Sequence, residues 1–553
     1  MATIIKRKTK PKTTEMKLLK AVRNLSPAHT VEIELEVSEH DHWKLQNINE
    51  HLRIIRNTVL GVLLKNYNQM TRTKEYKNTL KSYTKVNNLK ETKAVKAQKQ
   101  SLKKKFEELR DKFDVTFNYA RKYGEFLRST KYNLPDAVTT LSVCEMAWDS
   151  LEGLLYRKSK KVKFYKRDEF ITFQGKQANR SIILKEGLVS FAKMKLPLIV
   201  KKNDLFIKET LSHINEYKNN SALIDSKNIE NYLNEDPLIS TYRVRNNRIV
   251  CKEIRGKVRY YLQVVLEGMP VVKRNRDGSF RHTYGVGRLG GDIGSQSLAI
   301  FSENKAILQN FAERAEKTFK EERKVHLLQR SLDRSRRIAN PNNFDSLGRI
   351  KKGPKRWNFS NRYKNIKAKL KDLQRKTAAN REYAHNEDIN ELRSLGNELI
   401  IETMDIRSLQ KKAKETTVNE KTGKFNKKKR FGKSILNRSP GYFIAQAKER
   451  FAATGGIVKE VNTWSFKASQ YDHVLDDTNK KGLSARWHIL PDNTKLQRDL
   501  YASFLLYCSK ADSQTPDKNL CDVHYPNFKT LHDHCIKELK NNRKVVLNSG
   551  IIF

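Results

Sequence analysis

The chain is predicted to be a multidomain α+β protein. At 553 residues it has length for roughly three or four domains. Its hydrophobic period shifts between the 3.6 of helices and the 2 of strands from one region to the next. Around 288–310 a strand meander alternates with long cationic helices, the mark of an α+β or α/β unit.

The elements follow in order. HTVEIELEV, 29–37, alternates strictly and reads as a half-buried strand. WKLQNINEHLRIIRNTVLGVLL, 43–64, has helical apolar spacing, and QKQSLKKKFEELRDKF, 98–113, is a charged helix with a solvated face. LPDAVTTLSVCEMAWDSLEGLLY, 134–156, opens with Pro135 and Asp136 and carries a broad apolar stripe, so it reads as a packed helix. From about 161 the texture changes to short strands and turns. RSIILKEGLVSFAKMKLPL and YRVRNNRIVCKEIRGKVRYYLQVVLEG (242–268) read as hairpins bent at KEG and RGK. Basic alternates and Phe164, Tyr165, Tyr260 and Tyr261 leave this region open to two readings, a nucleic-acid platform or an ordinary aromatic core. Residues 288–310 hold three strands joined at GSQS and SENK. Helical segments follow at 314–337 and 361–396, then a strand ending in LIIE (399–402) and a helix from Asp499, DLYASFLLYCS.

Charge is the strongest compositional signal. Lys and Arg number 111 against 61 Asp and Glu, a net +50. Such an excess implies a polyanion partner bound by counterion release, hence nucleic acid. A membrane surface is the competing polyanion; no basic amphipathic helix with a broad apolar face supports it. No run approaches ~18 apolar residues and the N-terminus lacks a secretory apolar core, so no membrane partner is expected. The five cysteines (144, 251, 508, 521, 535) are odd in number and without CxxC spacing, which points to a reducing compartment. A cytoplasmic, nucleoid-associated prokaryotic protein is the resulting expectation.

Three acids sit where apolar elements end or begin: Asp292 in RLGGDIGSQSLAIFS, Glu402 after LII, and Asp499 at the head of the last apolar helix. Separately they read as a turn former, a strand-end charge and a helix N-terminal charge. Together, in a chain this basic, they suit Mg²⁺, which takes oxygen ligands and shares substrate phosphates. Two such ions serve phosphodiester cleavage. Gly290, Gly291 and Gly294 would admit a nucleic-acid backbone, and Asp499, Ala502 and Ser503 share one helix face.

The order GGDIGSQSLAIFS, LIIETMDIRSL, LQRDLYASFLL resembles the split RuvC-like core of the transposon-encoded TnpB proteins (OrfB) and of the related type V CRISPR effector nucleases. RGKVRYYLQVVLEG, the cationic hairpin and NTWSFKASQYDH also sit where that family has counterparts. The resemblance implies an RNase H-like (RuvC) nuclease domain plus a β-barrel wedge domain with an inserted helical recognition domain. It implies a guide RNA, double- or single-stranded target DNA, and Mg²⁺-dependent cleavage, with two ions expected, beside a short flanking motif. Asp292, Glu402 and Asp499 match the catalytic, metal-holding acids. The expected segments are 1–40 (tail and first wedge strand), 41–160 (helical recognition), 161–285 (wedge), 286–507 (nuclease, with a hairpin at 311–396 and a target-loading segment at 470–498) and 508–553 (C-terminal tail). Monomer and homodimer stay open.

One departure stands out. The family's four-cysteine zinc ribbon before the last acid has no counterpart in 470–499, where only His473 and His488 remain. No zinc is expected there. In the tail, Cys521, His524, His532, His534 and Cys535 have zinc-ligand chemistry at a spacing that fits no standard finger. Nucleic-acid contacts are expected from Lys351, Lys352, Lys355, Arg356 and Trp357, from Lys427, Lys428, Lys429 and Arg430, and from Arg498. The rival readings are a nuclease-inactive RNA-guided binder, a strand-transferring transposase, and an actin-like or sugar-kinase ATPase suggested by DIGSQS. A second glycine-rich phosphate loop, needed by the last, is missing from the sequence.

Overall fold

The computed structural model describes residues 28–215 and 243–552, apart from 133, 135, 157–158, 168, 177–179, 269, 314–320, 412–414, 420–422, 424–431, 480–481, 483–484 and 511–514. The chain divides into two compact units, Met1–Val271 and Val272–Phe553.

The first unit combines helices with one antiparallel sheet. Strand β1 (Ala28–Leu35) is followed by helices α1 (Glu39–Arg72), α2 (Lys74–Asn87), α3 (Lys93–Lys112), α4 (Phe117–Phe126) and α5 (Ala137–Leu155). Ser, Thr and Asp cap them: Ser38, Thr73, Thr92, Thr116 and Asp136 each accept a backbone N–H of the first turn. Strands β2 (Phe173–Gln174), β3 (Ile183–Lys185), β4 (Leu188–Phe191), β5 (Met194–Ile199), β6 (Arg243–Ile254) and β7 (Lys257–Glu267) complete a sheet of order β2-β6-β7-β1-β5-β4-β3. Among the described residues this ladder runs open from β2 to β3, where a closed barrel was expected. Its tight turns include the KEG and RGK bends: Glu186–Gly187 and Arg255–Gly256 all hold positive φ, the two-residue hairpin geometry that favours glycine second. Tyr260 is a core residue and not a platform for bases. It is 2% exposed, and its hydroxyl accepts from Gln46 (2.9 Å) and meets His42 Nδ1 (3.1 Å) on α1.

The second unit is built on a five-stranded sheet of order β10-β9-β8-β11-β12. Its strands are β8 (Arg288–Ile293), β9 (Ser297–Ser302), β10 (Ala306–Asn310), β11 (Glu398–Glu402) and β12 (Ile457–Val461). The first three form an antiparallel meander, and β11 pairs parallel with both β8 and β12. Between β10 and β11 lies a helical hairpin, α6 (Glu322–Ala339) and α7 (Asn361–Leu395). One sheet face packs Leu289, Leu399 and Ile401 against Phe443, Ala447 and Phe451 of α8 (Pro440–Ala452) and against Ile389 and Leu392 of α7. The other packs Phe301 and Ile400 against α10 (Arg498–Tyr507) and α11 (Lys518–Asn541), with α9 (Thr463–Phe466) ahead of them. Residues 508–553, read as a tail, therefore supply a core helix: Cys521, Phe528, His532 and Cys535 form its buried stripe.

Candidate active site

Strand register brings the first two acids together. β8 and β11 pair in parallel through Gly291 opposite Ile401, so Asp292 and Glu402 leave adjacent strands at the same level. Side chains alternate, which puts Gly290 and Asp292 on one face. That face belongs to α10. A Cβ on Gly290 would stand 1.9 Å from the Ser503 carbonyl oxygen and 2.4 Å from the Tyr507 nitrogen, so only glycine lets this helix lie on the strand. Asp499, at the first turn of α10 and 6% exposed, is thereby held over the same strand ends.

Asp499 and Glu402 are positioned by neighbours. Ser297, the first residue of β9, donates its hydroxyl to Asp499 Oδ2 at 3.3 Å, and Gly294 N–H closes the turn from β8 to β9 on the Ser297 carbonyl at 2.9 Å. Arg498 Nε and Nη2 lie 3.4 Å from Asp499 Oδ1, while its Nη1 donates to the Ala485 carbonyl at 3.0 Å. Arg498, expected to meet nucleic acid, is thus turned inward onto an acid and a carbonyl. Glu402 Oε1 accepts the Ala468 N–H at 3.2 Å. That amide is presented by a left-handed turn at Lys467, φ 50°, which ends α9. Thr463 Oγ1 donates to the Thr403 carbonyl at 2.6 Å and ties α9 to the strand end.

The electrostatics follow from this crowding. Burial raises the Asp292 carboxyl well above the usual carboxylate range; the like charges of Asp499 and Glu402 add to the rise, and Arg498 opposes it. Burial also raises Glu402, against the pull of the Ala468 N–H. Asp292 is therefore the common neighbour of the other two. Among the described residues no group of three His, Cys, Asp or Glu stands in metal-holding geometry. The three acids share an electrostatic field and not a closed ligand cage. An all-oxygen, mutually repelling set of this kind fits a hard cation that takes one or two carboxylates and keeps its waters.

The remaining sequence candidates are dispersed. Cys521 and Cys535 lie fourteen positions apart on α11, about 21 Å at 1.5 Å per residue, so they share no zinc ion. His532 Nε2 instead accepts the Gln497 N–H at 2.9 Å. Residues 470–498 contain two small antiparallel pairs, β13 (Tyr471–Asp472) with β14 (Asp477–Thr478) and β15 (Trp487–Ile489) with β16 (Lys495–Gln497). His488 Nε2 meets Asp472 Oδ2 at 2.9 Å and His473 Nδ1 meets the Tyr501 hydroxyl at 2.7 Å, so both histidines are spent on core hydrogen bonds. Lys351, Lys352, Lys355, Arg356 and Trp357 lie in the loop between α6 and α7. Lys427, Lys428, Lys429 and Arg430 fall outside the described residues. Sequence reading missed Ser297 and Gly290's packing role. Only the glycine pair before Asp292 hinted at the close approach.

No family model matches this chain, and no curated protein matches it. A solved structure described as the Cryo-EM structure of the Cas12f1-sgRNA-target DNA complex is similar at 12% identity and a TM-score of 0.36, over 86% of this chain and 98% of that one. Similarity at that level defines neither fold nor activity; the site is read from its own geometry. No helix among the described residues is long and apolar enough to cross a membrane.

Proposed function

We propose that this protein is an RNA-guided, Mg²⁺-dependent DNA endonuclease that hydrolyses phosphodiester bonds beside a short flanking motif, with an RNase H-like (RuvC) catalytic core. One observation carries the reading: Asp292, Glu402 and Asp499, drawn from two adjacent strands and a helix, meet at a single sheet end, where the charges of Glu402 and Asp499 both oppose the ionisation of Asp292. The sheet order, a three-strand meander followed by two parallel strands, supports an RNase H-like core. The net charge of +50 supports a polyanionic substrate and an RNA partner.

Asp292, Glu402 and Asp499 would hold the cations. Bound divalent ions supply positive charge at an attacking water and at the leaving oxygen of a phosphodiester. The chain's own groups set the geometry. Ala468 N–H fixes Glu402, while Ser297 and Arg498 fix the two oxygens of Asp499, so less reorganisation is needed as charge develops. In the net reaction, water's oxygen bonds to phosphorus, one bridging P–O bond breaks, and the leaving oxygen takes a proton.

The test is cleavage by the purified protein with its copurifying RNA, after that RNA is sequenced and matched to a DNA target. Cleavage should require Mg²⁺, stop with chelator, and disappear in Asp292→Asn, Glu402→Gln and Asp499→Asn while RNA binding persists. Cleavage that survives these substitutions overturns the assignment of the site. Guided binding without cleavage by the wild type makes it a nuclease-inactive binder, and joined products make it a transposase.

A further inference from the structure

The loop between α6 and α7 is built as a stacking device. Asn340 Nδ2 donates to the Asn358 carbonyl (2.7 Å) and Asn340 Oδ1 accepts the Asn358 N–H (2.6 Å). Asn343 Nδ2 holds the Arg356 carbonyl at 2.8 Å. These bonds clamp the backbone on both sides of Trp357, and Phe344 meets the Trp357 ring edge-on at 5.8 Å. The Arg336 guanidinium lies 5.4 Å from the same ring, itself fixed by Asp333 at 2.6 Å. Trp357 is therefore rigid before any ligand arrives.

The rings of Trp357 and Phe359 are parallel within 2° at a centroid separation of 6.5 Å, whereas Phe359 and Tyr363 are in closed contact at 4.5 Å and 18°. The Trp357–Phe359 pair is thus more loosely spaced than Phe359 and Tyr363, and Phe359 is 41% exposed, leaving ring surface for a base to stack on. Around it Lys351, Lys352 and Arg356 are exposed, the cations a strand's phosphates require. The hairpin is inserted between β10 and β11, and β11 ends in Glu402, so it belongs to the same unit as the acids.

We propose that Trp357 and Phe359 receive an unpaired nucleobase of the DNA strand, with Lys351, Lys352 and Arg356 on the flanking phosphates. The choice of DNA rests on the nuclease reading above; the stacking itself does not. The probe is a short single-stranded DNA carrying 2-aminopurine, titrated with the full-length protein in EDTA so that no cutting occurs. Binding should quench the fluorescence. Trp357→Leu with Phe359→Leu should relieve the quench and weaken affinity about 5- to 150-fold, the loss expected for one stacked base, with melting temperature unchanged. Gln at Lys351, Lys352 and Arg356 together should leave the quench at saturation and lower the salt slope by about three. An unaltered quench in the aromatic variant, an unaltered salt slope in the cation variant, or a quench with the RNA counterpart and none with DNA would each overturn the proposal. If DNA is quenched as expected and the protein never cuts with Mg²⁺, the nuclease reading fails and the stacking site stands.

Discussion

Asp292 is where the chemistry and the stability of the fold are in conflict. Its carboxyl titrates higher in the folded chain than in an unfolded one, because burial and two like charges oppose its ionisation. Between those two values the folded state binds more protons, so without a cation stability falls as pH rises through that window. Asp292→Asn removes the charge and keeps the shape. In chelator at neutral pH it should raise the melting temperature by about 2 °C, roughly the shift for ~1 kcal/mol in a unit this large, and flatten the pH dependence above the ordinary carboxylate range. A lower melting temperature for the variant would mean that Asp292 is held by an attractive partner and not by repelling ones. All three acids were legible in the sequence because each interrupts an apolar element. Their supports were not: Ser297 begins the next strand, and the Ala468 amide, 66 positions after Glu402, is presented by the left-handed Lys467 before it. Arg498, expected from sequence as a phosphate contact, also has partners that sequence does not show, Asp499 and the Ala485 carbonyl.

At the level of elements, the site depends on how closely α10 lies on β8. Gly290→Ala places a methyl against backbone, which cannot rotate away, and should cost at least the upper part of the ~1–3 kcal/mol typical of overpacking. Gly291→Ala meets only the side-chain ends of Ile300 (3.0 Å), Ile401 and Leu399, which can yield. Denaturant melts should show a clearly larger loss for the first. Equal losses would mean that α10 is free to slide and does not fix Asp499. Strands with strict alternation, such as β1, and the hairpin of β6 and β7 could be read from period and turn residues. Residues 508–553 were read as a tail, although Cys521, Phe528, His532 and Cys535, at spacings of seven, four and three, carry the period of the buried stripe of helix α11. The open ladder of the first unit was illegible for another reason: closure depends on pairing between distant strands, which no local pattern encodes.

Over the whole molecule, charge sets behaviour that no single contact explains. A net +50 spread along 553 residues makes counterion release a dominant part of nucleic-acid affinity. If six to ten phosphates are neutralised, affinity for RNA should fall about 10³- to 10⁵-fold between 50 and 200 mM salt. A binding curve flat over that range would imply recognition by uncharged contacts. The excess was plain from composition; where it is used was not, because Arg336 and Arg337 are tied to Asp333 while exposed Lys351 and Lys352 look the same in sequence.

The most direct test of the central claim is divalent-cation binding by the full-length protein, followed with Mn²⁺ by electron paramagnetic resonance. The wild type should bind Mn²⁺ in competition with Mg²⁺, and Asp292→Asn, folded as judged by its melt, should lose that binding. Mn²⁺ bound equally well by Asp292→Asn, or no binding by the wild type even with nucleic acid present, would contradict it.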